Sequence, residues 1–435
     1  MSNNLLIKNC LIVPMTQSPE NSGDYFFKGE IAIEGCKIRE VGERISLESW
    51  KPDKIIDAEG MIALPGFINC HTHAAMTLLR SYADDLPLMQ WLQEKIWPLE
   101  SKLQAEDVYW GTMLCILEMI KSGTTTFADM YFFMDEVAQA VEESGIRASL
   151  SRGLIAFNNG EKSLEEACKF VEKWHGKAEG RITTMLGPHA PYTCPPDFLK
   201  KVVKSAEKLD VGIHIHVAET LQEIEEIRKN YGKTPVEYLD ELGVFELPAL
   251  AAHCVHLNNK DIEILSRKSV GVVHNPESNM KLASGIAPIP QLLKSGVTVA
   301  LGTDGASSNN NLDMMEEMRS AALLHKVNSQ DPTVLKSYEA LSMATRNGAK
   351  VLGMEDEVGQ LKAGMKADII LLDFNKPHLK PLHDINAHMV YSASSADVDT
   401  VIVNGKILME KRKILTIDEE RIYSEVEKSV KRLTS

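Results

Sequence analysis

The sequence predicts a parallel (β/α)8 barrel with a small β-sandwich domain assembled from both ends of the chain. Two observations predict the barrel: apolar, β-rich runs alternate with segments of helical periodicity, and chemically reactive side chains follow several of those runs. A third observation predicts the small domain. Short apolar runs separated by turn residues occur both before residue 61 and after residue 357, where no barrel unit is expected.

The barrel prediction depends on eight apolar runs in succession. They are 62–70, 124–130, 147–155, 182–188, 211–217, 250–254, 270–274 and 297–301. Segments with helical periodicity lie between them, for example at 134–144, 165–173 and 196–208. Eight strands that alternate with helices close into a barrel, and in such barrels the catalytic residues cluster at the carboxyl ends of the strands.

The two flanks of the chain predict the sandwich and its boundaries. Their apolar runs are 5–7, 11–13, 29–33 and 38–41 on the N-terminal side, and 369–372, 401–403 and 406–409 after a helical stretch at 337–352. Asn404-Gly405 predicts a hairpin turn, and 417–433 predicts an amphipathic terminal helix with Ile422, Val426 and Val430 on one face. We therefore expect the sandwich to comprise 1–60 and 358–435, and the barrel to comprise 61–357.

Composition places the chain among ordinary globular enzymes. It has 435 residues, 44% of them hydrophobic and 25% charged, with a formal net charge of −14. That charge argues against a nucleic-acid surface, which needs a basic stripe. Seven cysteines without a CxxC pair indicate a reducing compartment. The first fifteen residues lack a signal-peptide pattern, and no stretch approaches the roughly 18 apolar residues of a membrane helix. A cytoplasmic location is expected, and a homo-oligomer is left open.

Candidate metal ligands follow the predicted strands. His71 and His73 end the first run, and because side chains alternate along a strand, both can point to one side. Three further runs end near His216, His253 and Asp304. Imidazoles with one carboxylate form a ligand set suited to zinc or ferrous iron. The sequence therefore predicts a metal site at the carboxyl ends of the strands.

Longer motifs carry a resemblance to a known family. They are Pro65-Gly66 with His71-Thr72-His73-Ala74-Ala75-Met76; Ala83-Asp84-Asp85-Leu86-Pro87-Leu88 with Trp91-Leu92 and Trp97-Pro98-Leu99-Glu100; Gly187-Pro188-His189-Ala190-Pro191-Tyr192-Thr193; His216-Val217-Ala218-Glu219-Thr220; and Gly302-Thr303-Asp304-Gly305. The chain resembles the amidohydrolase superfamily over nearly its whole length. Within it, the stretch 84–100 together with Arg152 and His189 is most similar to the 5-methylthioadenosine/S-adenosylhomocysteine deaminases.

The resemblance implies one divalent metal, zinc or else Fe²⁺, held by His71, His73, His216 and Asp304. Some relatives hold two metals bridged by a carboxylated lysine after the fourth strand. Residues 183–191 contain no lysine here, which favours a single metal.

The resemblance also implies three catalytic side chains. Asp304 would accept a proton from the attacking water, and Glu219 would donate one to the purine ring. His253 would hydrogen-bond the attacking water; its alternative is a metal ligand, as in two-metal relatives. The alternative for Glu219 is a solvated turn carboxylate. His214, one layer deeper than His216, is interpreted as a core histidine.

The implied substrate contacts come from five further side chains. Glu100 would accept hydrogen bonds from ribose hydroxyls, and Arg152 would pair with a carboxylate such as that of homocysteine. His189 would contact the sugar or the purine, Ser308 is a weaker candidate, and Trp91 could stack on the purine. Their alternatives are structural: a surface glutamate, a salt bridge and core packing. A second arginine is missing from 156–166, where Lys162 is the one basic residue.

Together these expectations describe a hydrolytic deaminase of purine nucleosides with no nucleic-acid or membrane partner. It would convert S-adenosylhomocysteine to S-inosylhomocysteine and 5′-methylthioadenosine to 5′-methylthioinosine, releasing ammonia. The alternatives of the same fold are a guanine deaminase, an adenosine-type deaminase or a triazine chlorohydrolase, which would not all need Glu100. A non-catalytic scaffold is the alternative from another class.

Overall fold

The computed structural model describes residues 4–17, 25–157 and 159–435. Residues 1–3 and 18–24 of the predicted N-terminal sandwich segment lie outside this range. In chain order the strands are β1 (Asn4–Ile12), β2 (Phe27–Glu34), β3 (Lys37–Gly42), β4 (Lys54–Asp57), β5 (Met61–Pro65), β6 (Phe67–Thr72), β7 (Thr124–Tyr131), β8 (Arg147–Leu154), β9 (Ile182–Pro188), β10 (Ile213–Val217), β11 (Ala249–His253), β12 (Gly271–His274), β13 (Val299–Leu301), β14 (Ile369–Asp373), β15 (Val398–Val403), β16 (Lys406–Glu410) and β17 (Lys413–Ile414).

Strands β6 to β13 form the predicted parallel barrel, each paired with its neighbours in chain order. Its ends meet through residues that follow β13: the amide of Asp304 donates to the carbonyl of His71 at 2.9 Å. Asn69 and Thr303 add two hydrogen bonds across the same seam, at 2.7 and 3.0 Å. The barrel is thus nearly closed, and the predicted fold class is confirmed.

The first predicted barrel strand, 62–70, is two strands rather than one, which corrects that expectation. Strand β5 pairs with β14 and β1, so it belongs to the other sheet, and the barrel begins at Phe67. The chain changes sheets at Gly66, where an added Cβ would lie 2.1 Å from the side chain of Thr125. An apolar run buried on both sides gives no sign of such a change, because both sheets require the same residue types.

The second sheet collects strands from both ends of the chain, as the small sandwich requires. Its order is β17-β16-β15-β14-β5-β1-β2-β3, with β4 beside β1. A buried ion pair ties it to the barrel: Arg147 of β8 donates to both oxygens of Asp368 at 2.8 and 3.1 Å. Asp368 also accepts the amide of Asn404 at the hairpin turn, at 2.7 Å. The domain boundaries at 60/61 and 357/358 stay a prediction.

Helices lie between the barrel strands and at the end of the chain. They are Leu88–Trp91, Leu92–Ile96 (π-helical), Trp97–Glu100, Ala105–Ser122, Met134–Ser144, Gly160–Trp174, Pro196–Leu209, Leu221–Tyr231, Pro235–Glu241, Asn259–Arg267, Pro276–Lys281, Ile289–Lys294, Ala306–Asn309, Met314–Ser329, Ser337–Met343, Arg346–Val351, Ile385–Tyr391 and Glu419–Thr434, with a single turn at Lys177–Gly180 and 3₁₀ turns at Ala74–Leu79, Val244–Glu246, Pro377–Leu379 and Ser395–Asp397. Within the described ranges, every helix is too short or too polar to cross a membrane.

The predicted helices recur with small shifts. Met134–Ser144 has the predicted bounds and ends at Gly145, whose φ of 89° suits the left-handed position after a helix. The predicted stretch 337–352 is two short helices separated by Ala344 and Thr345. The terminal helix begins at Glu419 and buries Ile422 and Leu433. Its ion pair between Arg432 and Asp107 fixes it against the helix Ala105–Ser122.

Candidate active site

The four predicted metal ligands meet at the carboxyl-terminal end of the barrel. His71 and His216 lie within the last residues of β6 and β10, His73 directly follows β6, and Asp304 follows β13. His71 is fully buried, and His216 and Asp304 are 6% exposed. Because parallel strands end at one rim of the barrel, residues far apart in the chain face one another here.

The donor atoms of these side chains are close enough to share one metal ion. Asp304 Oδ1 lies 3.2 Å from His73 Nε2 and 3.6 Å from His71 Nε2. His216 Nε2 lies 3.4 Å from His73 Nε2. Ligands bound tetrahedrally to zinc at about 2.1 Å are about 3.4 Å from one another. The observed spacings therefore fit a divalent metal.

Nδ1 of each of the three histidines makes a hydrogen bond to the protein, which leaves Nε2 available to bind a metal. His73 Nδ1–H donates to the carbonyl of Met130, and His216 Nδ1–H to that of His189, each at 2.7 Å. His71 Nδ1 lies 2.8 Å from His214 Nε2. His71 Nε2 is buried with no hydrogen-bond partner. A buried unpartnered nitrogen that faces two imidazoles and a carboxylate fits a metal, and these outer hydrogen bonds are typical of metal-ligating histidines.

Electrostatics at the site favour the ligand forms of His71, His216 and Asp304. Burial alone would lower the pKa of His73, but the hydrogen bond and charge of Asp304 raise it to about 9, so this ring must lose a proton to bind a metal. Burial, reinforced by the neighbouring imidazoles, holds the pKa of His71 and of His216 well below the usual value, so both rings are neutral. Burial alone would raise the pKa of Asp304, but hydrogen bonding and charge attraction from His73 outweigh it and hold that pKa well below its ordinary value. Neutral imidazoles and an ionised carboxylate are the forms that bind metals.

Two hydroxyls fix the orientation of Asp304. Ser278 Oγ donates to Asp304 Oδ2 at 2.6 Å, and Ser308 Oγ donates to the same oxygen at 2.8 Å. This arrangement turns Oδ1 toward the histidines. Ser308 was predicted as a substrate contact and does line the cleft, but Ser278 was not predicted.

Glu219 is buried beside the metal-ligand cluster, not solvated. Its Oε2 lies 3.8 Å from His253 Nε2, and Ser284 Oγ lies 3.4 Å from its Oε1. The turn that carries it is held by Glu223, whose carboxylate accepts the amides of Ala218 and Glu219 at 2.8 and 2.9 Å. Burial raises the pKa of Glu219. A protonated carboxylic acid is thereby favoured at this position.

A cleft of about 780 Å³ opens over the cluster. It is lined by the predicted substrate residues Trp91, Glu100, His189 and Ser308, by Glu219, His253 and Asp304, and by apolar side chains including Trp97, Phe132, Ile155 and Leu282. Tyr131 donates its hydroxyl to Glu100 Oε1 at 2.6 Å. Trp91 donates its indole N–H to the carbonyl of Ala83 at 2.9 Å, so the ring is fixed in place while facing the cleft.

Arg152 is placed differently from the other predicted substrate residues. It does not line the cleft; its guanidinium pairs with Glu166 at 2.5 Å and donates to the carbonyl of Gly153 at 3.2 Å. Glu166 is 43% exposed at its side chain, so this pair lies at the protein surface. In the described residues, the cleft lining contains no lysine or arginine.

Four contributors to the site escaped prediction from the sequence. They are Tyr131 on Glu100, Ser278 on Asp304, Asn279 on His253 and Asp129, which accepts from Thr72 Oγ1 and the amide of Ala74 on either side of His73. His214, predicted as a core histidine, is buried as expected but also orients His71. Each acts through a contact between residues that are far apart in the chain, and local sequence patterns do not predict such contacts.

Comparisons with known proteins agree with the family resemblance of the sequence motifs. The amidohydrolase family model matches residues 62–408. A protein of Pelotomaculum thermopropionicum named 5-methylthioadenosine/S-adenosylhomocysteine deaminase is 64% identical over 99% of both chains. Among solved structures, an adenosine deaminase from Xanthomonas campestris with bound zinc is 34% identical, with a TM-score of 0.93 over 99% of this chain and 98% of that one. An atrazine chlorohydrolase from Arthrobacter aurescens complexed with zinc is 25% identical, with a TM-score of 0.90 over 98% and 100%.

Proposed function

Because the chain belongs to the amidohydrolase family, we propose that it is a metal-dependent deaminase of adenine nucleosides that carry a 5′-thioether. It converts S-adenosylhomocysteine to S-inosylhomocysteine and 5′-methylthioadenosine to 5′-methylthioinosine, and it releases ammonia. One observation carries the proposal: the cleft that contains the ligand cluster also contains the buried acid Glu219 and the carboxylate Glu100. The 64% identity to a relative named for these substrates supports it.

We assign the metal to His71, His73, His216 and Asp304. Zinc is favoured because two structures of the same fold hold zinc, and Fe²⁺ is the alternative that this ligand set also suits. When bound, a divalent metal of this kind supplies hydroxide near neutral pH by lowering the pKa of a bound water. His214 and the carbonyls of Met130 and His189 keep the three imidazoles oriented toward it.

The chain's own side chains move the protons. Glu219, whose pKa is raised by burial, donates a proton to N1 of the adenine ring as water adds to C6. His253 hydrogen-bonds that water and directs it to the carbon. Asp304 accepts the proton that the water loses and returns it to the departing amine. Glu219, ionised by its first donation, assists this step by taking the proton of the new hydroxyl as the carbonyl forms. The purine amine leaves as ammonia and the ring carbon keeps the oxygen.

Substrate is held by residues on the walls of the cleft. Glu100 accepts hydrogen bonds from the ribose hydroxyls, with its carboxylate oriented by Tyr131. Trp91 faces the purine, and His189 and Ser308 contact the purine or the sugar. Arg152 recognises the homocysteine carboxylate after leaving its pair with Glu166, which is exposed enough for such an exchange.

The main alternatives are enzymes of the same fold with other substrates. An adenosine deaminase and a triazine hydrolase share the architecture of this chain, so the fold does not distinguish between them. The pairing of Tyr131 with Glu100 in the cleft favours a substrate with vicinal hydroxyls over a free base or a triazine. A non-catalytic scaffold would have no use for a buried acid beside a complete ligand set.

Metal analysis combined with an ammonia-release assay tests the proposal. The protein is loaded with zinc, its metal content per chain is measured, and ammonia is followed with 5′-methylthioadenosine and with S-adenosylhomocysteine. We expect one metal per chain and stoichiometric formation of the inosine product. A fully loaded protein that releases no ammonia from either substrate would contradict the proposal.

A further inference from the structure

The helix Pro276–Lys281, which follows β12, places Ser278 and Asn279 against two groups of the proposed mechanism. These groups are Asp304, the proposed acceptor of the water's proton, and His253, the proposed partner of the attacking water. Ser278 donates to Asp304, and Asn279 Nδ2 lies 3.0 Å from His253 Nδ1. Asn279 is 1% exposed, so water does not compete for this contact. The first contact orients a carboxylate, and the second bears on which nitrogen of His253 carries a proton.

An amide NH₂ group can only donate a hydrogen bond. With the amide in this orientation His253 Nδ1 accepts from Asn279, and the ring carries its proton on Nε2. On the other side of the ring, Nε2 lies 3.8 Å from Glu219 Oε2, too far for a direct hydrogen bond. The backbone that carries the ring is left-handed, with a φ of 71° at His253 and 50° at Cys254, a conformation that is uncommon for non-glycine residues.

The position of this proton matters because the site offers two overlapping sets of metal ligands. His71, His73 and Asp304 form one set, and His71, His216 and His253 form another, each with donor atoms within 4.8 Å of one another. An imidazole nitrogen that carries a proton has no free lone pair for a metal. The hydrogen bond from Asn279 would therefore exclude His253 from the second set.

We propose that Asn279 is a positioning residue that holds His253 in the Nε2–H form. In this form His253 donates a hydrogen bond to the attacking water and is not a metal ligand. The inference extends the proposed function, since it explains how the chain keeps one metal in a site with three buried imidazoles close together. The competing arrangement has the amide rotated by half a turn, so that its oxygen accepts from Nδ1–H and Nε2 is free to bind a metal.

Nuclear magnetic resonance of the histidine ring nitrogens measures the proton position directly. Protein labelled with ¹⁵N-histidine is recorded as purified and after zinc loading, and the His253 signals are assigned from the spectrum of His253→Gln. We expect an unprotonated Nδ1 and a protonated Nε2 in both wild-type samples. A protonated Nδ1 with a bare Nε2 would overturn the proposal, whether or not the protein deaminates nucleosides.

Substitution of Asn279 gives a second, kinetic test. Asn279→Asp keeps the shape but can only accept, so the proton moves to Nδ1; we expect kcat to fall at least about tenfold while KM stays within about twofold. Asn279→Ala removes the donor without imposing an acceptor and should lose less. Asn258→Asp adds the same charge five residues after His253 at a helix N-cap and should leave activity unchanged. Equal losses in both Asn279 variants, with KM raised, would indicate a merely structural role.

If the wild-type protein releases no ammonia, the proposed function fails, but the resonance measurement still decides the role of Asn279. If ammonia is released and the wild-type ring carries its proton on Nδ1, the inference fails and the proposed function stands.

Discussion

Tyr131 donates its hydroxyl to Glu100 Oε1 at 2.6 Å, and its ring lies 6.5 Å from that of His73. Glu100 belongs to a short helix above the barrel, whereas Tyr131 ends β7. The contact therefore holds the carboxylate of Glu100, which can accept hydrogen bonds from sugar hydroxyls, at a fixed position relative to the ligand cluster. Under the proposed function, it fixes the group that would bind the ribose relative to the proposed metal ligands.

Replacing Glu100 should separate nucleosides from free bases. Glu100→Ala removes charge-assisted hydrogen bonds worth roughly 1.5–3 kcal/mol, so kcat/KM for each nucleoside should fall about tenfold to a hundred-and-fiftyfold. Any activity on a free base should be unchanged. Steady-state ammonia release measures both, and Glu94→Ala is the control because Glu94 is exposed nearby. A loss shared by free bases would show that Glu100 acts on the shape of the cleft.

Replacing Glu219 should stop proton transfer without removing the metal. Glu219→Gln keeps the side-chain volume but supplies no acidic proton, so kcat should fall at least about a hundredfold. Metal content per chain should remain that of the wild type. Glu225→Gln, at an exposed position of the next helix, is the control. Loss of the metal in Glu219→Gln would make Glu219 a ligand and would end the single-metal assignment.

Arg152 should govern the choice between the two thioether substrates. Only S-adenosylhomocysteine carries a carboxylate, so Arg152→Ala should lower its kcat/KM relative to 5′-methylthioadenosine by about tenfold to a hundred-and-fiftyfold. Lys162→Ala is the control, since Lys162 also lies near Glu166, at 3.9 Å, but is 74% exposed. An unchanged ratio would mean that the ion pair with Glu166 is the whole role of Arg152.

Asp129 should make stability depend on pH. Burial raises its pKa from the ordinary range of an aspartate to about 6, so the folded protein holds this proton at pH values where the unfolded chain has lost it. Ionisation of Asp129 then destabilises the fold increasingly as pH rises from about 4 to 6, with the full cost above that. Asp129→Asn cannot ionise. The free energy of unfolding of Asp129→Asn, relative to that of the wild type, should therefore rise by up to about 3 kcal/mol between pH 4 and pH 7.

Thermal unfolding of both proteins across that pH range measures the shift. Asp135→Asn is a control of opposite sign: burial raises the pKa of Asp135, but hydrogen bonds from Lys173 and Trp174 outweigh it and lower the pKa. The free energy of unfolding of Asp135→Asn, relative to that of the wild type, should therefore fall as pH rises. Parallel pH profiles for wild type and Asp129→Asn would show that folding does not raise the pKa of Asp129.

The fold was predictable because apolar runs and helical periodicity, which are local sequence patterns, indicate the strands and the helices. The runs 124–130 and 182–188 and the helical stretch 134–144 correspond to β7, β9 and Met134–Ser144 within one residue. The run 62–70 misled, since a strand buried on both faces needs the same apolar residue types in either sheet. The change of sheet depends on the close approach of Gly66 to Thr125, which only the folded chain reveals.

The candidate site was predictable as residue types at strand ends but not as contacts. Position and chemistry predicted a metal site from His71, His73, His216, His253 and Asp304. The family resemblance implied the four ligands without His253, and the structure brings those four together. Asn279 was not recognised, because its partner His253 lies 26 residues away and an asparagine in a short helix has no characteristic pattern. Arg152 shows the converse: its type and position predict a substrate contact, while the neighbouring Glu166 decides where its side chain lies.

A panel of kcat/KM values for the zinc-loaded protein tests the central claim most directly. The substrates are 5′-methylthioadenosine, S-adenosylhomocysteine, adenosine, guanine and cytosine, with ammonia release as the common readout and metal-free protein as the blank. We predict that the two thioether nucleosides give the highest values, that adenosine follows, and that the free bases are the poorest. A higher value for guanine or cytosine than for either thioether nucleoside would contradict the account.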